Sequence, residues 1–297
     1  MSPSGRRWRL GEARAGTLYD LLVPDRYEPI DVRNPRVVAA VKLHRGVARK
    51  RAGRFLAEGA NSVGAALGAG RVRELFYSAE GATREHALIA GAEAGGVRTT
   101  LVSDRAAQAL GETVTPPGLV AVCDLVDVPL ERIVPTDSEA SVPRILAVPV
   151  AIADPGNAGT LIRVADAVGV DAVVLAGDSV DPHNGKCVRS CAGSLFHVPI
   201  VRARDTAAVL DRIEAAGITT VATAAAGEVD LEDAGELFTR PVAWLFGNEA
   251  HGLEPEVARR ARHRIRIPIR GRAESLNLAT AAAICLYANS RTRFGPG

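Results

Sequence analysis

The sequence contains no apolar run that approaches the length of a membrane-spanning helix. Its hydrophobic runs stay well short of the roughly 18 consecutive apolar residues that such a helix needs. Near the N-terminus, Arg6, Arg7 and Arg9 are followed by no apolar stretch, which argues against a secretory signal peptide. We therefore expect a cytoplasmic protein that has no membrane partner.

Cysteine is also scarce. Cys123, Cys187, Cys191 and Cys285 are scattered over a chain of 297 residues, which is not the pattern of a secreted disulfide framework. His183 precedes two of these cysteines at steps of four residues, so a metal site must be considered. On a helix the first and last of the three lie two turns apart, too far for one tetrahedral centre, and no fourth ligand is evident. We predict no metal site and buried, unreactive cysteines.

The sequence lacks the glycine signature of the common dinucleotide-binding fold. No G-x-G-x-x-G motif follows the strand predicted to end at Ile152. The pair Gly68 and Gly70 follows a predicted helix instead of a strand and has no third glycine. These absences weaken the hypothesis of an ordinary Rossmann site.

Basic residues are present in two clusters, although the formal net charge is only +2. The segment 42–54 holds six basic residues and no acid, and the segment 259–272 holds seven arginines and no acid. One such cluster is as typical of a solvated charged face as of a binding surface. Two clusters in one chain favour RNA as a partner, because a polyanion responds to how charge is distributed.

The length and the 47% of apolar residues predict two domains with real cores. Residues 1–34 show little periodicity and are interpreted as a flexible arm. Residues 35–126 alternate between helical and strand patterns, including a helix capped by Asn61 and one over 83–94, and predict a compact α/β/α domain. Residues 127–143, with three prolines and four acids, are interpreted as a linker. In residues 144–297, strands alternate with crossover helices, among them an amphipathic helix over 206–216, which predicts a parallel sheet with helices on both faces.

Two apolar strands near the C-terminus each end in a polar loop. Residues 242–246 run into a Gly-containing loop at 247–253, and residues 265–269 precede a loop that opens the last helix at 275–278. Ligands of open α/β sheets bind at the carboxyl ends of strands. We therefore predict that the two loops share one crevice, which is the candidate active site.

Three segments of this half resemble the SpoU family of RNA ribose 2′-O-methyltransferases. They read NAGTLIRVA at 157–165, LFGNEAHGL at 245–253, and IPI at 267–269 followed by SLNL at 275–278. The resemblance implies a C-terminal domain with a deep trefoil knot, which periodicity alone does not predict. It also implies S-adenosylmethionine as the methyl donor. The N-terminal half is similar, more loosely, to the ribosomal-protein-like RNA-binding domain of the thiostrepton-resistance-type 23S rRNA methylases.

The resemblance implies that the knot loops contact the donor mainly through backbone groups. By position these contacts fall on Gly247, Ile267 and Leu276, with Thr223 or Ala224 lining the pocket. A glycine lets the main chain approach a ligand closely. Judged without the resemblance, Ile267 and Leu276 are more typical of plain core packing.

The resemblance also assigns catalytic roles. It gives activation of the ribose hydroxyl to Arg163, but a guanidinium keeps its proton, so Arg163 either acts as a base with a depressed pKa or stabilises the developing alkoxide and a phosphate. The alternative is a surface ion pair with Asp166 or Glu249. Asn157 is expected to bind phosphate or to cap a helix, and Glu249 to orient Arg163 or the knot loop. Ser275 and Asn277 are expected to contact RNA, with helix capping as the alternative for Ser275.

Arginines of the first basic cluster are the main candidates for phosphate contacts in RNA: Arg45, Arg49, Arg51 and Arg54. Lys186 and Arg189 are weaker candidates. The small residues of the last helix predict a homodimer by analogy with the family, although a buried intrachain helix would show the same pattern. We expect 2′-O-methylation of 23S rRNA, which extends to a hypothesis of ribosomal antibiotic resistance. The alternatives are tRNA methylation and a non-catalytic RNA-binding protein.

Overall fold

The computed structural model describes residues 28–113, 117–135 and 141–294, and side chains up to residue 292. Residues 1–27, most of the predicted arm, lie outside the described residues. The end of that arm is ordered: Ile30 pairs with Val102, and the Asn34 side chain caps the first helix. The chain builds two sheets, one of four strands and one of seven.

The N-terminal sheet is built from short strands and helices that alternate along the chain. Its helices are α1 (Pro35–Val41), α2 (Gly46–Ala52), α3 (Ala60–Gly68), α4 (Ala79–Arg84), α5 (His86–Ala94) and α6 (Asp104–Leu110). Its strands are β1 (Arg54–Glu58), β2 (Val72–Tyr77), β3 (Arg98–Leu101) and β4 (Leu119–Asp124), in the order β1-β4-β2-β3. Only the β2–β3 pair is parallel.

The two faces of this sheet are covered by different helices. Leu56 and Phe76 face α1 and α6, whereas Phe55 and Leu75 face the opposite side. The alternation follows from the period of two along a strand. The predicted α/β/α arrangement of this domain is therefore present.

The C-terminal sheet contains only parallel strands, as predicted. Its strands are β5 (Ile145–Pro149), β6 (Ala172–Ala176), β7 (Ile200–Ala203), β8 (Thr219–Thr223), β9 (Val229–Asp230), β10 (Val242–Phe246) and β11 (His263–Arg266). Its helices are α7 (Leu130–Ile133), α8 (Pro155–Ala167), α9 (Gly185–Cys191), α10 (Thr206–Ala215), α11 (Pro255–Arg260) and α12 (Leu278–Phe294), with 3₁₀ segments at Ser194–Phe196 and Leu231–Thr239. The strand order is β7-β6-β5-β10-β8-β11-β9.

Helices cover both faces of the seven-stranded sheet, which confirms the predicted fold class. On one face, Leu161 of α8 and Leu286 of α12 pack with Trp244. On the other face, Ile213 of α10 and Val257 of α11 pack with alternate residues of the same strands. The central strands β5, β6 and β10 are buried along their whole length and are therefore continuously apolar. The trefoil knot remains an expectation from the resemblance, and the return of α12 onto α8 is compatible with it.

Several local predictions differ from the structure. The single helix expected over 83–94 is two helices, because the Ser78 hydroxyl accepts from the Gly81 N–H and starts a separate helix at Ala79. Asn61, expected to be a cap, lies inside α3, and Gly59 with φ of 86° takes the cap position. The segment expected to be a linker packs against the C-terminal sheet through α7 and the buried Val134.

Two findings concern membranes and metals. In the part of the chain that the structure describes, no helix is long and apolar enough to cross a membrane. Within the same residues, no group of three or more His, Cys, Asp or Glu side chains could hold a metal ion. The four cysteines are buried and free.

Candidate active site

Three loops meet at the carboxyl ends of the neighbouring strands β10, β8 and β11. The loop after β8 is fastened to β11, since the Ala224 N–H donates to the Ile265 carbonyl at 3.0 Å. Gly227 lies so close to the backbone of β11 that a Cβ there would be 2.7 Å from the Arg264 carbonyl oxygen. The crevice predicted at these strand ends therefore receives a third loop, at 224–228.

The loop after β10 is a tight turn closed by its own backbone. Asn248 and Gly252 exchange two N–H to carbonyl hydrogen bonds of 2.8 and 2.9 Å. A side chain at Gly247 would overlap with the backbone of Gly252 and Leu253. Gly252 has a φ of 68°, a conformation that favours glycine. These two glycines explain how the turn folds back on the end of its strand.

Asn248 also holds the end of β5, a role that sequence reasoning missed. Its Nδ2 donates to the Ala151 carbonyl at 2.7 Å, while Ala151 has a left-handed φ of 52°. A non-glycine residue in this region costs about 1–2 kcal/mol. Such strain beside the candidate site marks a backbone held in place by its neighbours. The signal was present, because Asn248 stands inside the quoted LFGNEAHGL segment.

Glu249 joins the β10 loop to the start of α8. Its carboxylate accepts the backbone N–H groups of Ala153 and Asp154 at 3.1 and 3.0 Å, and the Asn157 Nδ2 at 3.2 Å. Partial burial opposes ionisation, but the hydrogen bonds from Ala153, Asp154 and Asn157 outweigh it and lower the pKa of Glu249. The Glu249 carboxylate therefore contacts Asn157 and the backbone just before α8, and none of its described contacts is with Arg163. Its role in orienting the knot loop stays a prediction.

Asn157 and Asn277 connect the first and third segments. The Asn277 Nδ2 donates to the Asn157 Oδ1 at 3.0 Å. The Asn277 Oδ1 in turn accepts from the Ala279 and Thr280 N–H groups at 2.9 and 3.3 Å, so Asn277 caps α12. The expected capping role of Ser275 is therefore wrong, since Ser275 is exposed and precedes the helix. Likewise, Asn157 is not the cap of α8.

The cap of α8 is Asp154, whose carboxylate accepts from the Asn157 N–H at 2.8 Å. Asp154 also accepts from the Lys186 Nζ at 2.6 Å. The hydrogen bond from Lys186 is the main cause that lowers the pKa of Asp154. The Lys186 side chain, predicted to contact phosphate, is 56% exposed and forms an ion pair with Asp154 beside the candidate site.

The residues predicted to contact the methyl donor lie in the three loops or at the end of the strand before them. Gly247 is buried, and Thr223, Ala224, Ile267 and Leu276 are half-buried. Thr223 donates its hydroxyl to the Leu245 carbonyl at 3.3 Å. Within the described part of the chain, the backbone N–H and C=O groups of Ile267 and Leu276 form no hydrogen bond. Half-buried backbone groups that are unpaired are available to a ligand.

Arg163 is exposed on α8, about two turns after the helix begins. Its guanidinium forms no ion pair or hydrogen bond with the residues that the structure describes. The two acids considered as partners are occupied: Asp166 contacts His197 at 2.9 Å, and Glu249 accepts the backbone amides described above. A surface ion pair of Arg163 with either acid is therefore not observed.

The first basic cluster separates into two kinds of residue. Arg45 and Arg51 are exposed, and Arg54 is half-exposed with Asp124 at 4.0 Å. Arg49 differs: it is only 5% exposed, and its guanidinium contacts Asp181 at 2.7 Å. A buried guanidinium whose donors are mostly engaged within the protein is not accessible to a phosphate, so the prediction of an RNA contact for Arg49 is replaced by an internal ion pair. Arg189 is similarly engaged with Glu58 and Glu112.

The second basic cluster is largely neutralised by acids that are distant in sequence. Arg264 pairs with Glu228 at 2.9 Å, Arg266 with Asp230 at 2.9 Å, and Arg270 with Glu232 at 2.7 Å. Arg260 pairs with Asp211 and Glu214 from α10. Four of the seven arginines are thus paired with acids, and a contribution of this cluster to RNA binding stays a prediction. We call the three pairs formed by Arg264, Arg266 and Arg270 the arginine ladder.

Comparisons with known proteins agree with this geometry. Residues 144–287 match the SpoU rRNA Methylase family, and residues 34–121 match the MRM3-like substrate binding domain. The chain is 34% identical over 256 residues to the 23S rRNA (guanosine(2553)-2'-O)-methyltransferase RlmP of Bacillus subtilis (strain 168), covering 86% of this chain and 96% of that protein. It is 36% identical over 254 residues to the 23S rRNA (uridine(2479)-2'-O)-methyltransferase of Streptomyces viridochromogenes, covering 82% of this chain and 85% of that protein.

A solved structure shows the same similarity in three dimensions. The AdoMet-bound rRNA methyltransferase from Sinorhizobium meliloti superimposes with a TM-score of 0.76 at 33% sequence identity. The match covers 91% of this chain and 99% of that chain, so it includes both sheets. The arrangement of the two domains is therefore shared with a relative that binds the methyl donor.

Proposed function

Because this chain belongs to the SpoU rRNA methylase family, we propose that it transfers a methyl group from S-adenosylmethionine to a ribose 2′-hydroxyl of 23S ribosomal RNA. The observation that carries the proposal is the hydrogen-bonded chain Glu249–Asn157–Asn277. These three residues belong to three segments that are far apart in sequence, and each is one of the segments that resemble the family. Their contact creates a single site at the carboxyl ends of the central strands.

The loops at this site fit the proposed methyl donor. The close backbone approach at Gly247, the short side chain of Ala224 and the unpaired backbone groups of Ile267 and Leu276 lie on the loops that follow the neighbouring strands β10, β8 and β11. Unpaired N–H and C=O groups at both ends of the segment between β11 and α12 match the donor and acceptor edge of an adenine. When bound, S-adenosylmethionine supplies a sulfonium methyl group that an oxygen nucleophile can accept.

The chain's own residues then orient the sugar. Each asparagine amide carries two N–H donors, and Asn157 and Asn277 each use one of them in the chain described above. The second N–H of each amide is available to a ribose or phosphate oxygen. Glu249 fixes the Asn157 amide with its oxygen toward Asn277, so the direction of the free donors is determined. Holding the ribose hydroxyl in a reactive position relative to the methyl group lowers the barrier to methyl transfer.

Arg163 supplies positive charge near the reacting hydroxyl in this proposal. An exposed guanidinium without an acidic partner can pair with the phosphate next to the target ribose and stabilise negative charge on its oxygen. Since a guanidinium keeps its proton, electrostatic stabilisation is the simpler of the two roles considered for Arg163. Ser275, exposed just before α12, is proposed to contact the same RNA strand.

The N-terminal domain offers a cationic face for the rest of the RNA. Four basic residues near α2 are exposed and form no ion pair with any described acid: Lys42, Arg45, Lys50 and Arg51. Val47, between them, is 84% exposed. We call this group the cationic face. Side chains cannot read base edges in the deep groove of A-form RNA, so this face is proposed to bind phosphates and shape.

Helix α12 presents a surface for a second copy of the chain. Ile284 and Tyr287 are 38% and 61% exposed, one turn apart, beside the half-buried Ala283. Large apolar side chains in such a stripe are typical of a packed interface. The proposed homodimer predicts that Tyr287→Glu changes the mass measured by light scattering from that of a dimer to that of a monomer. An unchanged mass would contradict this interface.

Two further proposals follow from the substrate. A cytoplasmic location is proposed because ribosomal RNA is the proposed substrate. Ribosomal antibiotic resistance stays a prediction of the resemblance, and growth of a sensitive host expressing the protein on thiostrepton tests it. Host cells that remain sensitive while their rRNA is methylated would contradict the resistance role alone.

Incubation with radiolabelled S-adenosylmethionine and unmodified 23S rRNA, followed by mass mapping of the labelled fragment, tests the proposed reaction. Label on a ribose is expected, and label on a base or only on tRNA would overturn the proposal. Arg163→Ala should abolish transfer without changing donor affinity measured by calorimetry. Arg204→Ala, another exposed and unpaired arginine of the same domain, is the matched control and should retain activity. Absence of donor binding by the wild type would favour a non-catalytic RNA-binding protein.

A further inference from the structure

The two domains are joined by a partly buried ionic cluster that the proposed chemistry does not use. Arg49, at 5% exposure, lies in α2 directly between residues of the cationic face. Its Nε and Nη2 donate to the Asp181 Oδ2 at 2.9 and 2.7 Å, and its Nη1 donates to the Leu43 and His44 carbonyls at 3.0 and 2.9 Å. Four of its five N–H donors are thus engaged. One guanidinium fastens the cationic segment to a loop of the C-terminal domain.

Asp181 is the centre of this cluster. Its second oxygen, Oδ1, accepts from the His183 N–H at 3.1 Å and from the Arg202 Nη1 at 3.1 Å. Burial opposes ionisation, but the hydrogen bonds from His183 and Arg49 keep the pKa of Asp181 far below its usual range. Arg202 also contacts Asp127, in the chain that passes from one domain to the other. Asp181 therefore stays charged, and its partners come from both domains.

His183 is completely buried between the domains. Its Nε2 accepts from the Val126 N–H at 3.2 Å, which assigns the ring proton to Nδ1, 3.2 Å from the Asp181 Oδ1. The ring also lies 4.6 Å from the ring of Phe55 in β1. A neutral histidine in this tautomer has a partner for each nitrogen. These contacts form at one relative position of the two domains.

The apolar contacts around this cluster cannot define that position as sharply. Phe55 and Ala57 of the N-terminal sheet share one buried core with Leu161 and Cys187 of the C-terminal domain. Apolar burial is strong but non-directional, so it holds two surfaces together without fixing how they slide. A guanidinium with two bonds to one carboxylate has directional preferences. The apolar core therefore holds the two domains together, and the ionic cluster sets their relative orientation.

The cluster also leads to the candidate active site. The loop that holds Asp181 continues into α9, which packs on α8 at Gly159, where a side chain would overlap with the Cys187 carbonyl. Lys186 of α9 contacts Asp154, the cap of α8. Helix α8 carries Asn157 and Arg163. An unbroken series of contacts therefore runs from the cationic face through Arg49, Asp181 and α9 to the proposed catalytic residues.

We propose that Arg49, Asp181 and His183 are positioning residues that set the orientation of the RNA-binding domain relative to the methyl-transfer site. This inference rests on the proposed function. RNA phosphates held by the cationic face reach the active site at a distance and angle fixed by this cluster. Loss of the cluster leaves RNA binding and donor binding intact and misplaces the ribose.

Two conservative variants test the proposal in the full-length protein. Arg49→Lys keeps the charge but removes the forked geometry, and Asp181→Asn keeps the shape but removes the charge. We expect turnover at saturating RNA and donor to fall roughly ten- to hundredfold, as for a small misplacement of reactants. Dissociation constants for S-adenosylmethionine and for 23S rRNA should stay at wild-type values. Arg73→Lys alters an exposed pair within one domain, with Asp124, and should change none of these quantities.

Domain orientation is measured separately by spin labels at Ala90→Cys and Ala208→Cys, exposed positions on α5 and α10. The native cysteines are buried, so they should not take up the label. We expect one narrow distance distribution in otherwise wild-type protein and a broadened one in Arg49→Lys and Asp181→Asn. If these do not fold, the paired variant Arg49→Met with Asp181→Leu replaces the ions by apolar groups, an exchange that often preserves the fold. Its distribution should also broaden.

The outcomes separate the two proposals. Folded variants that keep a narrow distribution and wild-type turnover would overturn the positioning role, as would a loss of activity explained entirely by weaker binding of donor or RNA. Wild-type protein that methylates no ribose would overturn the proposed function and the positioning role with it.

Discussion

The two arginine-rich stretches look alike in sequence and differ in the folded protein. Residues 42–54 form α2 and its approaches, where four basic side chains remain exposed without acidic partners and one, Arg49, is buried. Residues 259–272 run from the end of α11 through β11 into the following loop, and Arg264, Arg266 and Arg270 form the arginine ladder with acids of the segment 228–232. Basic residues of these stretches therefore have three different environments: exposed without an acidic partner, buried in an ion pair between the domains, and paired with acids at the edge of the sheet.

An arginine without acids nearby in sequence can still have acids nearby in space. Arg264 and Arg266 meet partners 36 residues earlier, because β9 pairs with β11 in parallel register. On a helix, charged residues meet others three or four positions away. On a strand they also meet the neighbouring strand, whose identity is a matter of topology. The cationic face stays unpaired because none of the described acids reaches it.

The largest expected difference between the two stretches concerns stability. Arg49→Ala removes two charged hydrogen bonds from the half-buried Asp181, leaves Arg202 as its remaining arginine partner, and should lower the free energy of unfolding by about 2–3 kcal/mol. Arg270→Ala breaks a pair whose side chains are 77% and 64% exposed and should change stability by less than about 0.5 kcal/mol. Urea denaturation of both variants checks this. Equal losses in the free energy of unfolding for the two variants would contradict the distinction between the interdomain ion pair of Arg49 and the surface ion pair of Arg270.

The next largest effect concerns RNA binding. Replacing the cationic face residues Lys42, Arg45, Lys50 and Arg51 by glutamine should weaken binding of 23S rRNA fragments roughly a hundredfold near 0.1 M salt. The slope of log affinity against log salt should become shallower by up to about four units, one for each lost phosphate contact. Filter binding over a salt series measures both. Unchanged affinity and slope would mean that RNA binds elsewhere.

A smaller effect is expected for the matching change in the arginine ladder. Glutamine at Arg264, Arg266 and Arg270 together should lower the free energy of unfolding by about 1–2 kcal/mol, since three partly exposed pairs are lost. Affinity for RNA should fall far less than for the cationic-face variant, because these side chains already have acidic partners. Thermal unfolding and the same salt series check the two parts. A loss of RNA affinity as large as that of the cationic face would contradict the comparison.

The smallest effect is a dependence on pH. Partial burial opposes ionisation of Glu228, but hydrogen bonds from the Arg264 backbone and side chain outweigh it and lower the pKa of Glu228. A lowered carboxyl pKa adds stability above the unfolded-state pKa, and that contribution disappears as pH falls through the folded-state pKa. The stability difference between wild type and Arg264→Gln, below about 1 kcal/mol, should therefore vanish between about pH 5 and pH 3. A difference that persists at low pH would exclude this ion pair as its cause.

Much of the fold was predictable from local pattern. The strand at 242–246 and the helix from Thr206 follow from continuous apolar runs and from a periodic apolar stripe, and both occur almost as predicted. Helix starts were harder, because several residues compete for each cap. At α8 the cap is Asp154 and not Asn157, and at α12 it is Asn277 and not Ser275. Caps depend on which side chain can reach a free N–H, a matter of angstroms that composition does not encode.

The sequence predicted which residues belong to the candidate site but not which of them contact each other. The three resembling segments supplied Asn157, Glu249 and Asn277, yet the hydrogen bonds among them could not be anticipated. The resemblance connected Glu249 with Arg163, whereas the structure connects it with the backbone before α8 and with Asn157. Asn248, Asp181 and His183 received no functional role beforehand. Their importance comes from neighbours that lie in other elements, with Asn248 contacting Ala151 and Asp181 contacting Arg49.

By itself the sequence determined the alternating strands and helices, the parallel sheet, the family and the small set of residues at the site, because these depend on periodicity and on local motifs. Only the tertiary structure decided which arginines are free, which one is buried between the domains and which carboxylate orients which amide. The physical reason is that charge pairing and hydrogen bonding act over a few angstroms. Partners at that distance come here from residues as far apart as 132 positions, as for Arg49 and Asp181, and only folding brings them together.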